Sequence, residues 1–390
     1  MIVCKFGGTS VASAIGANNI KNIVKENKNI KFVVVSALGK TDGETVKVTD
    51  KLIEIFNLAK NNKPFEKEFD LVIERYKKMA NTLKVQIDFD KLKKQILKEF
   101  KQGGFNFDYI VSRGEFLSAK LYAKYLNAKF LDAKDYIIFG KNKKVNEVLT
   151  KKKFDCLREK LCVIGGFYGG FKDGIVTFSR GGSDITGAIL AKIFNAEEYE
   201  NYTDVEGYFS ANPNVFKFSK QLPAISYSSA IKIAYLGGEI VHIDALKLLK
   251  NTNVVLRVKN CLFKSGKETI ITKNNTRLFD DVFISFYKNY YFESDSFKEK
   301  SCFRVIKNNK KYIYLTDIKD NSLKECFVFV IYVKTIFNKK LIKNIKKIEK
   351  KLKKYSILCE FLTLNNNFTI VCELKDKNMV IKAINDNIKN

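Results

Sequence analysis

Four glycine-bearing turns, each set against an apolar run, constrain this chain more than any other feature of its sequence. The first is Lys5-Phe6-Gly7-Gly8-Thr9-Ser10, which closes the apolar run 1–6. The second, residues 36–42, closes the run 30–35, and the third, Ser112-Arg113-Gly114-Glu115, follows the stretch 107–111. The fourth is the densest: Gly165-Gly166-Phe167-Tyr168-Gly169-Gly170, a return strand at 174–178, then Ser179-Arg180-Gly181-Gly182-Ser183-Asp184. Glycine at a strand end lets the backbone approach a ligand closely, and a following helix N-terminus offers free N–H groups to an anion. The GxxxxGK[ST] spacing of a Walker loop is absent. Three glycine pairs around one hairpin are expensive for a purely structural element.

Between these turns the first 260 residues alternate in period. Strands are predicted at 1–6, 30–35, 107–111, 129–131, 162–164, 174–178 and 198–202, and helices at 13–26, 45–60, 65–80, 89–101, 115–126 and 183–194. Such alternation implies a mainly parallel sheet covered by helices on both faces. The texture changes near residue 265. Aromatic-rich strands are predicted at 283–292, 302–306, 312–315 and 327–333, then a helix over 338–354, a hairpin of 357–364 with 368–374, and a helix over 378–388. The last stretch reads βαββα, close to a ferredoxin-like unit. The expected division is 1–264 and 265–390.

Composition narrows the function classes. A single histidine, His242, removes most Ser-His-Asp, Cys-His and poly-histidine metal chemistry. Eight cysteines include no CxxC pair, so neither a zinc site nor a disulfide framework is expected. No apolar run reaches the roughly 18 residues of a membrane span, and Lys5 with its glycine pair interrupts the only candidate leader, so a soluble cytoplasmic protein is expected. The net charge of +28 comes from lysine spread along the whole chain, without an RRM, KH or zinc-finger pattern, and does not mark a nucleic-acid surface. The basic helix 338–354 places Ile342, Ile345, Ile348, Leu352 and Tyr355 at helical spacing, which suits a helix on a small sheet with a solvated outer face.

A lysine, an arginine, two carboxylates and many backbone donors at strand ends describe a phosphoryl-transfer site, a chemistry that needs positioning and charge neutralisation more than a histidine. Arg180 carries a planar fork suited to a carboxylate. Glu115, placed at a helix head, is read either as a favourable first-turn charge or as an acceptor for a substrate ammonium. Asp184 is read either as a helix cap or as part of the site, and Ser36 and Thr41 as hydroxyl donors or caps.

The ordered set KFGGTS at 5–10, VVVSALGKTD at 33–42, SRGE at 112–115, SRGGSD at 179–184 and YTDVEG at 202–207 resembles the aspartate kinases of the amino acid kinase family. That resemblance implies an α/β catalytic domain with a mainly parallel sheet sandwiched by helices, plus an α+β ferredoxin-like (ACT) regulatory domain. It implies ATP, Mg²⁺ carried on the nucleotide phosphates, and L-aspartate as acceptor, in the first step of lysine, threonine and methionine biosynthesis. Lys5 would stabilise the transferring phosphoryl group and Asp184 would hold Lys5. Ser36, Thr41, Glu115, Arg180, Gly181, Gly182 and Ser183 would bind the amino acid. Within that set Arg180 would clamp the α-carboxylate and Glu115 would take the ammonium. Lys5, Gly7, Gly8, Thr9, Ser10, Thr203, Asp204, Tyr208, Phe209, Asn212 and Pro213 would contact the nucleotide. A homodimer or tetramer through the C-terminal region and an amino-acid effector are also implied, with neither nucleic acid nor membrane as partner.

Three departures stand out. Asn212-Pro213-Asn214 replaces the family's Asp-Pro-Arg, Gly237-Gly238-Glu239 replaces Gly-Ala-Lys, and Phe178-Ser179 precedes Arg180 in place of Leu-Gly. The first two remove positive charge from the nucleotide side. They motivate two alternatives: a catalytically weak amino-acid-binding regulatory homologue, or a kinase of another amino-acid carboxylate.

Overall fold

The run IVCKF forms β1 (Ile2–Phe6), which takes a parallel neighbour on each side, as befits a strand that is almost wholly apolar. The computed structural model describes residues 1–41, 43–142, 144–155, 157, 161–172, 174–178, 181–263, 266–273, 282–294, 304–308, 311–316, 324–333, 339–353, 358–362 and 367–388. After β1 come α1 (Gly8–Ala12), α2 (Ala14–Glu26), β2 (Ile30–Val35), α3 (Val48–Lys60), α4 (Glu66–Thr82), α5 (Phe89–Gln102), α6 (Phe107–Tyr125) and β3 (Lys129–Leu131). They are followed by α7 (Ala133–Tyr136), α8 (Glu147–Lys153), β4 (Cys162–Gly165), the hairpin β5 (Tyr168–Phe171) and β6 (Gly174–Thr177), α9 (Gly182–Ile193) and β7 (Glu198–Thr203). Then come β8 (Ala224–Ser226), α10 (Tyr227–Tyr235), α11 (Ile243–Leu249), β9 (Val255–Asn260) and β10 (Glu268–Thr272).

The chain divides into two compact units. One comprises residues 1–207, 226–228 and 241–275, the other 208–225, 229–240 and 276–390. They interleave in sequence rather than meeting at a single cut.

In the first unit the sheet runs β3-β4-β2-β1-β7-β9-β10. Its pairs are parallel except β9 with β10. Val33, Val34 and Val35 of β2 are all fully buried, each worth about 1.5–3 kcal/mol of apolar transfer. Helices α6 and α9 lie against this sheet.

One predicted element is overturned. Residues 107–111 are not a strand, and Ser112–Glu115 is not a helix head; both lie inside the single helix α6. The β-branched pair Ile110-Val111 gave the strand reading. Helix capping prevails over it: the Asn106 side chain accepts from Tyr109 N at 2.9 Å, with Asp108 in the first turn. The helix tolerates Gly114 because a Cβ there would come within 2.7 Å of the Ala37 Cβ. The third glycine-bearing segment is therefore a close crossing of helix on loop, not a turn.

In the second unit β11 (Val282–Ser294), β12 (Arg304–Asn308), β13 (Lys311–Thr316), β14 (Lys324–Val333), β15 (Leu358–Leu362) and β16 (Asn367–Glu373) form a sheet in the order β12-β13-β11-β14-β16-β15. Every pair in it is antiparallel. Helices α12 (Lys339–Lys353) and α13 (Lys377–Asn387) supply Ile345, Ile348, Leu352, Val380, Ala383 and Ile384 to its core, against Ile284, Phe329, Ile331, Phe368 and Ile370 from the strands. Lys343, Lys346 and Lys347 face solvent, so this basic helix packs on a small sheet with a wet outer face. Tyr355 and the turn residues 365–366 lie outside the described residues. Among the described residues no helix is long and apolar enough to cross a membrane.

Candidate active site

The register of β1 on β7 sets the centre. Lys5 of β1 stands directly beside Asn201 of β7, so both side chains leave the same face of the sheet. Helix α9 lies on that face and brings Asp184 down in its first turn. Lys5 Nζ pairs with Asp184 Oδ1 at 2.8 Å and donates to Asn201 Oδ1 at 3.3 Å, while Asn201 Nδ2 donates to Asp184 Oδ1 at 2.9 Å. The other carboxylate oxygen, Oδ2, accepts from the main-chain N–H of His242 at 2.9 Å. Tyr199 Oη donates to the Asp184 carbonyl at 3.2 Å, so the first turn of α9 is held from below as well.

Close backbone packing brings the glycine turns to this centre. Gly39 N donates to Gly8 O at 2.9 Å, and a Cβ on Gly39 would lie 2.5 Å from the Gly8 carbonyl carbon. Gly166 N donates to Val35 O at 3.0 Å, and a Cβ there would lie 2.6 Å from Ser183 Cα. Gly181 sits in the left-handed region at φ 79°, with the His242 ring only 2.5 Å from where its Cβ would stand. Ser36 N is tied to Phe6 O, and Thr41 bridges Glu44 across the second turn. Glycine spacing thus reports approach distances here, not flexibility.

Glu115 reaches the same region from α6. Its Oε1 accepts from Ala37 N at 3.1 Å, whereas Oε2 is buried with no hydrogen-bond partner. Burial pushes the Glu115 carboxyl up to about 8, against the smaller opposing effects of the Ala37 N–H, its own backbone N–H and the Arg113 charge. Arg113 points elsewhere. The residue is 3% exposed, and its guanidinium lies 4.6 Å from the Tyr109 and Phe116 ring centres and 2.9 Å from Ser112 Oγ.

A second polar cluster lies at the ends of β1, β7 and β9. Thr9 Oγ1 donates to Asp204 Oδ2 at 3.4 Å, Thr203 Oγ1 to Asp204 Oδ1 at 3.2 Å, and Asn260 Nδ2 to the Asp204 carbonyl at 3.1 Å. Ser10 is buried in α1, and Gly7 and Gly8 are half-buried beside it. Tyr208, Phe209, Asn212 and Pro213 belong to the second unit, where Tyr208 is fully buried, Phe209 half-buried and the other two exposed. Asn214 and Glu239 are also exposed in that unit. Arg180 and Ser179 lie outside the described residues.

Sequence reading missed Asn201, Ala37 and the main chain of His242. Only Asn201 carried a signal: an amide inside the strand expected at 198–202, where a polar group needs partners; in the structure it is 1% exposed. The five described cysteines that are buried, Cys4, Cys162, Cys261, Cys326 and Cys372, are free thiols. Among the described residues no group of three or more His, Cys, Asp or Glu could hold a metal ion.

Residues 1–260 match the amino acid kinase family. Aspartokinase 3 of Bacillus subtilis is 33% identical over 296 residues, covering 71% of this chain and 65% of that protein. The aspartokinase of Bacillus sp. MGA3 is 32% identical, covering 71% and 59%. The chain therefore spans less than two thirds of the length of these relatives. Among solved structures, the aspartate kinase of Clostridium acetobutylicum superposes with a TM-score of 0.78 at 26% identity over 99% of both chains. E. coli aspartokinase III in complex with aspartate and ADP shares the fold, with a TM-score of 0.76 at 17% identity over 100% of this chain and 99% of that one.

Proposed function

The chain belongs to the amino acid kinase family, and on that premise we propose that it is a cytoplasmic aspartate kinase. One oxygen of the aspartate side-chain carboxylate attacks the γ-phosphorus of ATP. The bond from that phosphorus to the bridging oxygen breaks, giving 4-phospho-L-aspartate and ADP. The nucleophile is already ionised, so no general base is needed. What remains is to hold two anions together and neutralise charge.

The observation that carries the reading is the Lys5–Asp184 pair at the junction of the glycine turns, with the bare Oε2 of Glu115 in the same unit. Lys5 is the cation that stabilises charge on the transferring phosphoryl group, with the N–H of Gly8 beside it. The Gly7 N–H already donates to Tyr202 O at 3.0 Å, so Gly7 serves the nucleotide side by close backbone approach and not as a donor. Asp184 fixes Lys5: both its oxygens are already occupied by Lys5, Asn201 and the His242 N–H. Glu115 takes the substrate ammonium, because an unpartnered buried carboxyl oxygen is stabilised by a cation that reaches it. Arg180, Ser36, Thr41, Gly181, Gly182 and Ser183 complete the amino-acid site by resemblance to the family's motifs. Thr9, Ser10, Thr203, Asp204, Phe209, Asn212 and Pro213 are the nucleotide candidates. Tyr208 is a weaker one, since its ring is buried.

With both Asp184 oxygens engaged by Lys5, Asn201 and the His242 N–H, the residues present fit a Mg²⁺ that would arrive on the ATP phosphates rather than one held in a protein cage; when bound it would supply further charge neutralisation. The antiparallel sheet with α12 and α13 supports an ACT-like regulatory unit; a homo-oligomer formed through it and an amino-acid effector are proposed by resemblance to the family. The proposed place in metabolism is the first step toward lysine, threonine and methionine. Trapping the acyl phosphate as a hydroxamate tests the activity: ATP- and aspartate-dependent product is expected, and its absence at saturating ATP sinks the proposal. A panel of glutamate and acetylglutamate checks the acceptor.

A further inference from the structure

Asn201 occupies a position that the glycine motifs do not reach. It is 1% exposed on β7, between the buried Glu200 and Tyr202. An apolar side chain would be the ordinary choice at such a place, since a buried amide destabilises unless both its ends are satisfied. Here both ends are used, and by the two charges of the centre: Oδ1 accepts from Lys5 and Nδ2 donates to Asp184. The opposite assignment of the amide would set its NH₂ against the Lys5 ammonium and its oxygen against the Asp184 carboxylate, so the network fixes the orientation. Lys5 and Asn201 are also register partners across β1 and β7, which removes any slack between their main chains.

We propose that Asn201 is a positioning residue for phosphoryl transfer, holding the Lys5 ammonium and the Asp184 carboxylate at a fixed separation and aim. Lys5 has four flexible carbon–carbon bonds. A single ion pair leaves its Nζ free to swing about Asp184 Oδ1, whereas a second acceptor at 3.3 Å on the neighbouring strand defines one direction. Asparagine suits this task better than aspartate. A second carboxylate beside Asp184 would repel it and would oppose the incoming phosphates. Leucine keeps the same branched outline, with bulkier ends, but leaves Lys5 with one anchor.

This inference rests on the proposed kinase reading, and its experiment separates the two. Asn201→Leu and Asn201→Asp are assayed by hydroxamate formation beside the wild type. Both are expected to lower kcat by about ten- to a hundredfold, the range for a misplaced reacting group, with KM for aspartate and ATP changed by less than about threefold. A wild type with no hydroxamate sinks the kinase reading alone. A second measurement then decides Asn201: competitive labelling of Lys5 with acetic anhydride, mapped by mass spectrometry against the other lysines. In Asn201→Leu the Lys5 amine loses an acceptor and its relative labelling is expected to rise several-fold. Retention of kcat within about twofold, a loss that tracks only a lower melting temperature, or unchanged Lys5 labelling overturns the proposal.

Discussion

Lys5 Nζ and Asp184 Oδ1 form an ion pair at 2.8 Å whose side chains are only 11% and 9% exposed. A pair this buried contributes little net stability by itself, because desolvation offsets most of the Coulombic gain. Removing one partner is another matter, since it leaves the other charge buried without its counter-ion. The pair therefore adds little to stability, which fits the catalytic role proposed for it.

That asymmetry gives the first prediction. Lys5→Met strands Asp184 and is expected to destabilise the protein by about 3–5 kcal/mol, while lowering kcat/KM by about 10²–10³-fold. In Lys5→Met/Asp184→Leu part of the stability returns but no activity does. Chemical denaturation alongside hydroxamate assays checks both, and a double variant that regains turnover contradicts the role given to the pair.

Glu115 makes stability depend on pH with a definite sign. Its carboxyl titrates near 4.3 in an unfolded chain and is raised to about 8 in the fold by burial. Its contribution is thus fully present below about pH 4.3 and is lost as pH rises through about 8. Glu115→Gln cannot titrate, so the wild type should lose stability relative to this variant between pH 5 and pH 8.5. Melting curves across that range check it; parallel curves contradict it.

The same carboxyl couples ligand binding to proton release. At pH 7 a cation docking at Oε2 must ionise Glu115, so aspartate binding is expected to release close to one proton and to tighten as pH approaches 8. Calorimetry in two buffers of different ionisation enthalpy measures this directly. A binding enthalpy independent of buffer would remove Glu115 from the ammonium site.

Gly181→Ala combines a left-handed backbone at φ 79° with a Cβ placed 2.5 Å from the His242 ring. The strain is expected to be about 1–3 kcal/mol. The N-terminus of α9 should shift with it, so kcat falls more than the melting temperature implies. Thermal melts paired with turnover numbers test the difference.

Asn106→Ala removes the side-chain cap of α6 at the end of the helix away from Glu115's position in its middle. A loss of about 1 kcal/mol is expected with kcat unchanged, by thermal melting and assay at a temperature where the variant is folded. It tests whether α6 is one capped helix from Phe107, as found here, or begins later.

Part of the fold was legible because local chemistry and tertiary structure agree there. The runs at Ile2–Phe6 and Ile30–Val35 are buried on both faces, and their composition says so without help. Residues 107–115 show the opposite case. Ile110-Val111 before a Gly-containing turn reads as strand by periodicity, and only the side-chain bond from Asn106 to Tyr109 N with the packing of Gly114 on Ala37 settles a helix. Periodicity over five residues carries too little information to outweigh a cap it cannot see.

Sequence by itself singled out Lys5 and the glycine pairs at strand ends, and Glu115 and Asp184 on helices, as candidates, since each is a choice of residue that backbone approach or charge demands. What only tertiary structure decided is how these groups constrain one another. Asn201 meets Lys5 because β1 and β7 are parallel neighbours in one register, and His242 meets Asp184 through a main-chain N–H that no side-chain identity encodes. Contacts of that kind depend on strand order and helix placement, which are set by burial over the whole sheet. No local stretch of sequence contains them.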